Sequence, residues 1–315
     1  MYRTILVPLD GSPFSERAIP LVIRVARHTG ATIGLAHVHD PMVFPGYDAE
    51  GKQLMHAALD RLRGHTAART GLRVTAHFLE GEIVPALRVR IEEGGVDPVV
   101  MATHGRGGMS RAWLGSVADA LVRELRIPLL LTRPRAPSRR DADAPPSRRT
   151  LVPLDGSPYA EGVLEHALAL GAANYTELLL LRIVTPLPAL PDLYTGGATA
   201  FGGGATPFGG DDVEQQVREA ERYLGVAAGR LRRPGVPVNT HVLVHAQPAR
   251  AILDFAREWD ADLVALTTHG HGTLARLVLG SVADKVLRGA TGPVLIYRPA
   301  TGGSAMAEDD TAVER

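Results

Sequence analysis

The 315-residue chain has room for two domains of ordinary size, each able to bury its own core. Its 34 Lys+Arg balance its 34 Asp+Glu, so no net charge draws it to nucleic acid or to an acidic membrane surface. The absence of cysteine excludes disulfides, thiol catalysis and thiolate metal sites, and with neither a leader-like start nor a bilayer-length apolar stretch, the expected location is the cytoplasm.

In chain order, "TILVPL" predicts a first strand closed by the turn-former "DGS". Phe14–His28 predicts a helix, with Ala18, Leu21, Val22 and Val25 on one face. "ATIGLAHV" is the second strand, Glu50–Arg69 a second helix, "LRVTAHFL" the third strand and Ile83–Glu92 a third helix. "DPVVMAT" is the fourth strand. The glycine-spaced "ATHGRGGMSRAWLGSVAD" then leads into a helix over Ser116–Leu125, and "IPLLLT" is the fifth strand. Five strands joined by helices predict an α/β fold, a mostly parallel sheet with helices on both faces.

The pattern then repeats. "LVPLDGSPYAEGVL" restates the opening, and "TTHGHGTLARLVLGSVAD" restates the glycine-spaced stretch before a closing "GPVLIY". Asp10 matches Asp155 and Val38 matches Ile183 at an offset of 145, whereas Gly115 matches Gly280 at 165, so the second copy carries an insertion. It falls in the Gly/Pro/Thr-rich segment of about 185–212, which cannot build a packed core and reads as a mobile flap. The expected boundaries are a first domain over 1–134, a linker over 135–148, a second domain over 149–299 and a disordered tail over 300–315.

In a doubly wound sheet, ligands bind beyond the carboxyl ends of the strands, where strand order reverses. Asp10, Val38, His104 and Gly105 fall at such ends, and Gly115–Ser116 begins the helix after strand four, where free backbone N–H groups favour an anion. Each residue also has a plainer role. Asp10 and Asp155 suit a turn, Ser116 and Ser281 suit helix caps, Gly105, Gly107 and Gly108 suit a loop, and His104 and His269 read as loop residues offering backbone. No P-loop is present, and no G-x-G-x-x-G follows the first strand.

Both copies resemble universal stress protein (UspA-type) domains. The residues that carry the likeness are "ILVPLDGSPFSERA" and "LVPLDGSPYAEG", together with "ATHGRGGMSRAWLGSVAD…IPLLLTRP" and "TTHGHGTLARLVLGSVAD…GPVLIYRP". ATP-binding members of that family carry G-x₂-G-x₉-G-[ST]. Here Gly105 with Gly115–Ser116, and Gly270 with Gly280–Ser281, fill all but the first glycine, which is Ala102 in one copy and Thr267 in the other. The resemblance implies two tandem doubly wound domains, each a five-stranded parallel sheet of order 3-2-1-4-5. It also implies that Asp10 and Asp155 contact the nucleoside and that Val38 and Ile183 line the adenine pocket. The implied binding set is Pro8, Asp10, Val38, Ala102, His104, Gly105, Gly108, Gly115, Ser116 and Val117 in the first copy. In the second it is Pro153, Asp155, Ile183, Thr267, His269, Gly270, Gly280, Ser281 and Val282.

The function expected on this resemblance is a stress-response sensor or regulator that binds ATP or a related adenine nucleotide in each half, with or without Mg²⁺. A low-turnover ATP-hydrolysing enzyme and an interaction module that has lost its nucleotide are the alternatives. Neither glycine-spaced motif, Ala102–Ser116 or Thr267–Ser281, contains a lysine, which efficient phosphoryl transfer would use. The fifth strands carry no charge within their apolar runs, so as edges they invite pairing. The expectation is antiparallel docking of the two copies into a pseudo-dimer within one chain, with a homodimer of tandem chains as further assembly.

Overall fold

β-Branched and leucine-rich runs become strands throughout the computed structural model, which describes residues 2–43, 49–103, 114–133, 148–171, 177–186, 210–232, 236–268 and 279–299. The first half contributes β1 (Thr4–Leu9), β2 (Thr32–His39), β3 (Val74–Glu80), β4 (Val99–Ala102) and β5 (Leu129–Thr132). Its helices are α1 (Pro13–Glu16), α2 (Ile19–Thr29), α3 (Ala49–Thr70), α4 (Ile83–Glu93) and α5 (Ser116–Glu124). The second half repeats the series as β6 (Arg149–Pro153), β7 (Glu177–Val184), β8 (Val238–Val244), β9 (Leu263–Thr267) and β10 (Val294–Tyr297). Its helices are α6 (Pro158–Glu161), α7 (Leu164–Gly171), α8 (Gly210–Leu231), α9 (Pro248–Glu258) and α10 (Ser281–Gly289).

One expectation is corrected here. The helix predicted over Phe14–His28 is two helices, α1 and α2, separated at Arg17 and Ala18. Pro20 explains the break: it has no N–H for the carbonyl of Glu16, and in an unbroken helix its ring would collide with that carbonyl. At the start of α2 the same proline costs nothing, because the first helical N–H groups have no partner within the helix. The second copy breaks at the equivalent place without a proline, at Gly162 and Val163. There a Cβ on Gly162 would stand 2.7 Å from Cγ of Pro299, so only glycine lets the chain after β10 pack against α6.

The fold is α/β, two tandem doubly wound units each of strand order 3-2-1-4-5. The strands run β3-β2-β1-β4-β5 in the first unit and mirror this as β10-β9-β6-β7-β8 in the second. Pairing is parallel within each unit, and β5 meets β10 antiparallel with Leu129, Leu130 and Leu131 opposite Ile296, Leu295 and Val294. The ten strands therefore form one sheet. Alternation along the strands sends side chains to two cores that each run across both units. One core holds Ile5, Val7, Leu130, Val152 and Leu295 against α2, α3, α7 and α8. The other holds Leu6, Leu129, Leu131, Val294 and Ile296 against α4, α5, α9 and α10.

Both sides of the β5–β10 seam carry polar groups that reach across it. On the α5/α10 side, Arg123 pairs with Asp119 at 2.8 Å and Arg288 with Asp284 at 2.9 Å. The hydrogen bond to its own aspartate raises the pKa of each arginine, the charge of the other unit's aspartate adds to that, and Arg133 donates to the backbone carbonyl of Arg288. On the α2/α7 side, His166 packs edge-on against Tyr297 with ring centroids 4.3 Å apart, and its Nδ1 lies 3.5 Å from the hydroxyl of Tyr2 in the other unit. Burial pushes His166 down to about 4, against the pull of Glu165. Burial also lowers His28 of α2, opposed by a hydrogen bond with the Ala169 backbone.

These histidines set a direction for the pH dependence of stability. His166 is neutral when folded and binds a proton more tightly when unfolded. Its contribution is therefore whole above about pH 6.5 and is lost as pH falls toward 4. By pH 5 the loss from His166 is about 2 kcal/mol. Urea unfolding at pH 7.5 and pH 5 should show that decrement in the native chain and a smaller one in His166→Phe; an equal decrement in both would show that His166 is not the titrating group.

Candidate functional site

A crevice opens between β1 and β4, the point where strand order reverses. β1 pairs with β2 over six positions, from Thr4 opposite Thr32 to Leu9 opposite His37. With β4 it pairs only at Leu6 opposite Val99, where the Leu6 N–H donates to the carbonyl of Pro98. Two residues on, the next N–H on that side would belong to Pro8, which has none, so the ladder ends. The second unit does the same, with β6 leaving β9 after Leu151 opposite Val264 and Pro153 following. Pro8 and Pro153, predicted as site residues, thus stand where the strands part.

Asp10 follows β1 at that opening. Its Oδ1 accepts from the Ser12 N–H at 2.9 Å and from the Ser12 hydroxyl at 2.6 Å, across Gly11 at φ +77°. The Ser12 hydroxyl in turn accepts from the Ser15 N–H and caps α1. Asp155, Gly156 and Ser157 reproduce the arrangement at 2.9 Å and 2.6 Å, with the Ser157 hydroxyl capping α6. The turn role and the placement at the crevice are therefore the same feature, because the turn is what holds each carboxylate at the strand end.

Val38 and Ile183 are the penultimate residues of β2 and β7, opposite Leu79 and Leu243. Both pack with the core that faces α4, α5, α9 and α10. That is the side of the sheet on which α5 and α10 begin. Gly115, the N-cap of α5, has extended backbone and no side chain to cap with, and its N–H donates to the carbonyl of Thr103 at 2.9 Å. Gly280 does the same for α10, donating to Thr268 at 2.7 Å. Each helix start is thereby tied to the residue just past its own fourth strand. Ser116, Ser281 and Val282 are exposed there and Val117 is half-buried. Asp119 and Asp284 sit in the first turns, where a carboxylate would oppose a bound anion, but each is offset by its Arg123 or Arg288 partner.

Ala102 and Thr267 end β4 and β9, buried, opposite Thr132 and Tyr297. Strand alternation puts them on the same side as Val100 and Ala265, facing α2, α3, α7 and α8 and away from α5 and α10. His104, Gly105, Gly108, His269 and Gly270 lie outside the described residues.

Two features went unread in the sequence. Thr103 and Thr268 supply the tethering carbonyls, and their signal was the threonine retained before His in both "ATH" and "TTH". The other is a pair of side chains on the second strands. His37 Nδ1 donates to the carbonyl of Leu9 at 2.9 Å, and Arg182 Nη1 donates to the equivalent carbonyl of Leu154 at 3.3 Å. An arginine inside the leucine run "ELLLLRIV" was the available clue.

A model described as the universal stress protein family matches residues 1–133 and 146–298. A universal stress protein of Mycobacterium tuberculosis (strain ATCC 25618 / H37Rv) is 28% identical over 93% of this chain and 96% of its own. The crystal structure of a universal stress protein from Archaeoglobus fulgidus DSM 4304 is similar in fold, with a TM-score of 0.68 at 19% identity, over 94% of this chain and 98% of that one. A solved universal stress protein in complex with cAMP aligns with 49% of this chain and 98% of its own, at 22% identity and a TM-score of 0.35.

Proposed function

The chain belongs to the universal stress protein family, and from that premise we propose that each half binds an adenine nucleotide and that the protein acts as a stress-response sensor or regulator in the cytoplasm. One observation carries the proposal: the same uncapped helix start is tied to the end of the fourth strand beside the crevice in both units. Such a start presents backbone N–H groups and a partial positive charge to an anion, with Ser116 or Ser281 adding a hydroxyl. Asp10 and Asp155, at the other lip, offer carboxylate oxygen to ribose hydroxyls, while Val38 and Ile183 offer an apolar wall to the base. The departures from glycine at Ala102 and Thr267 fall on the opposite side of the sheet from the helix starts, which supports keeping both sites in the proposal.

Among the described residues, no three His, Asp or Glu side chains converge to hold a metal ion. They offer Mg²⁺ no cage, and no part of the proposal depends on one; magnesium would enter on the nucleotide's phosphates. No helix among those residues is long and apolar enough to cross a membrane. We also infer that the β5–β10 pairing holds the halves as a pseudo-dimer in solution, leaving a homodimer of tandem chains as the next level of assembly.

Isothermal titration of the full chain with ATP should give two sites per chain, and mild denaturation of freshly purified protein should release an adenine nucleotide. Recovery of ADP from protein loaded with ATP would favour slow hydrolysis over sensing. No binding heat with any adenine nucleotide would leave an interaction module instead.

A further inference from the structure

An arginine on an interior strand costs desolvation, and Arg182 stands on β7, between β6 and β8. Strand alternation puts its side chain on the α7/α8 face with Leu180 and Tyr223, the face opposite Ile183 and the start of α10. There its Nη1 donates at 3.3 Å to the carbonyl of Leu154, the residue before Asp155. Its Cζ and both Nη atoms lie 3.3 Å from where a Cβ on Gly156 would stand, so the guanidinium lies against the back of the Asp155–Gly156 turn. Burial lowers the pKa of Arg182, while the charges of Asp155 and then Tyr223 oppose that shift, so the guanidinium and the Asp155 carboxylate sense each other. Arginine stays charged in such a setting.

The two units differ in what else holds that carbonyl. β1 is still paired with β2 at Leu9, opposite His37, so the His37 imidazole adds a bond to a residue already in the ladder. β6 leaves β7 one residue sooner, its last pair being Pro153 opposite Leu181. The Leu154 N–H still donates to the Leu181 carbonyl at 2.8 Å. The next rung of a parallel ladder, from the Ile183 N–H to the Leu154 carbonyl, falls beyond the paired residues. Arg182 supplies a side-chain donor at the point where the ladder stops. We propose that Arg182 is a positioning residue: from behind the sheet it fixes the Leu154 carbonyl and the turn after it, and so sets the Asp155 carboxylate toward the ribose hydroxyls of a nucleotide in the second site. It touches no ligand itself. A binding group is held only as well as the shell behind it. The proposal rests on the reading of the second site as a nucleotide pocket.

The test compares ATP with 2′,3′-dideoxy-ATP by calorimetry, on full chains with one site closed, because their ratio reads the ribose hydroxyls alone. With the first site closed by Gly115→Leu, ATP should bind the second site about tenfold more tightly than the dideoxy analogue, the scale of one hydrogen bond to a charged acceptor. Arg182→Leu should remove most of that preference and Arg182→Lys should restore part of it, with circular dichroism confirming that each variant is folded. With the second site closed by Gly280→Leu instead, Arg182→Leu should leave the preference of the first site unchanged. A preference that survives Arg182→Leu at the second site, or falls equally at both sites, overturns the positioning role. If ATP binds the second site of the unaltered chain no better than the dideoxy analogue, Asp155 does not hold the ribose; the positioning role is then overturned while nucleotide binding stands. If neither nucleotide binds, the underlying reading falls and the positioning role with it.

Discussion

Titrated with ATP, the Gly115→Leu chain should bind one equivalent where the unaltered chain binds two. Gly115 has φ −60° and ψ 150°, a backbone conformation open to any residue, so leucine there carries no backbone strain. What leucine changes is access. It stands a branched side chain at the helix start, where phosphate oxygens would have to approach the backbone N–H groups closely. Exchanging a glycine N-cap for an apolar one costs about 1 kcal/mol of stability. The loss of a site should therefore appear with little change in melting temperature. Ser116→Ala is the graded companion, removing one hydroxyl donor to a charged acceptor and weakening the first site by about 1.5–3 kcal/mol. Two equivalents still bound by Gly115→Leu would remove the phosphate from this helix.

The second large effect is expected at the seam. Leu130 and Leu295 face each other across β5 and β10, 2% and 0% exposed, in the core shared by both halves. An aspartate at either position would be a buried charge facing leucine, with no partner to receive it. Such a charge costs about 4 kcal/mol or more unless the structure opens to let water in. The cheapest opening is separation of the halves, since the β5–β10 pairing spans only three residue pairs. Leu130→Asp should therefore lower the melting temperature by about 10 °C and turn a single compact scattering particle into two lobes. Should the unaltered chain itself scatter as two freely moving lobes, the halves do not dock in solution, whatever the variant does.

Much of this protein was legible before any coordinates. Periods of two and of three to four residues are set by neighbours along the chain, so apolar alternation placed the strands, and the first-strand span Thr4–Leu9 agrees with "TILVPL" residue for residue. Glycine and proline act locally too. Gly115 and Gly280 announced the starts of α5 and α10, and Pro20 carried the break in the predicted Phe14–His28 helix, though that signal went unread. The repeat itself supplied the equivalence of Asp10 with Asp155. Three things waited for the tertiary structure. The meeting of His37 with Leu9, and of Arg182 with Leu154, depends on strand register, and a shift of one residue would turn both side chains to the other face. The burial of His166 between Tyr2 and Tyr297 joins residues from both halves, and no local pattern encodes that. The splaying of β1 from β4 beyond Leu6 needs both strands in place before the missing N–H of Pro8 has a consequence. Local backbone preference decides which element a segment becomes. Which side chains meet across strands is decided by packing that the whole core must satisfy together.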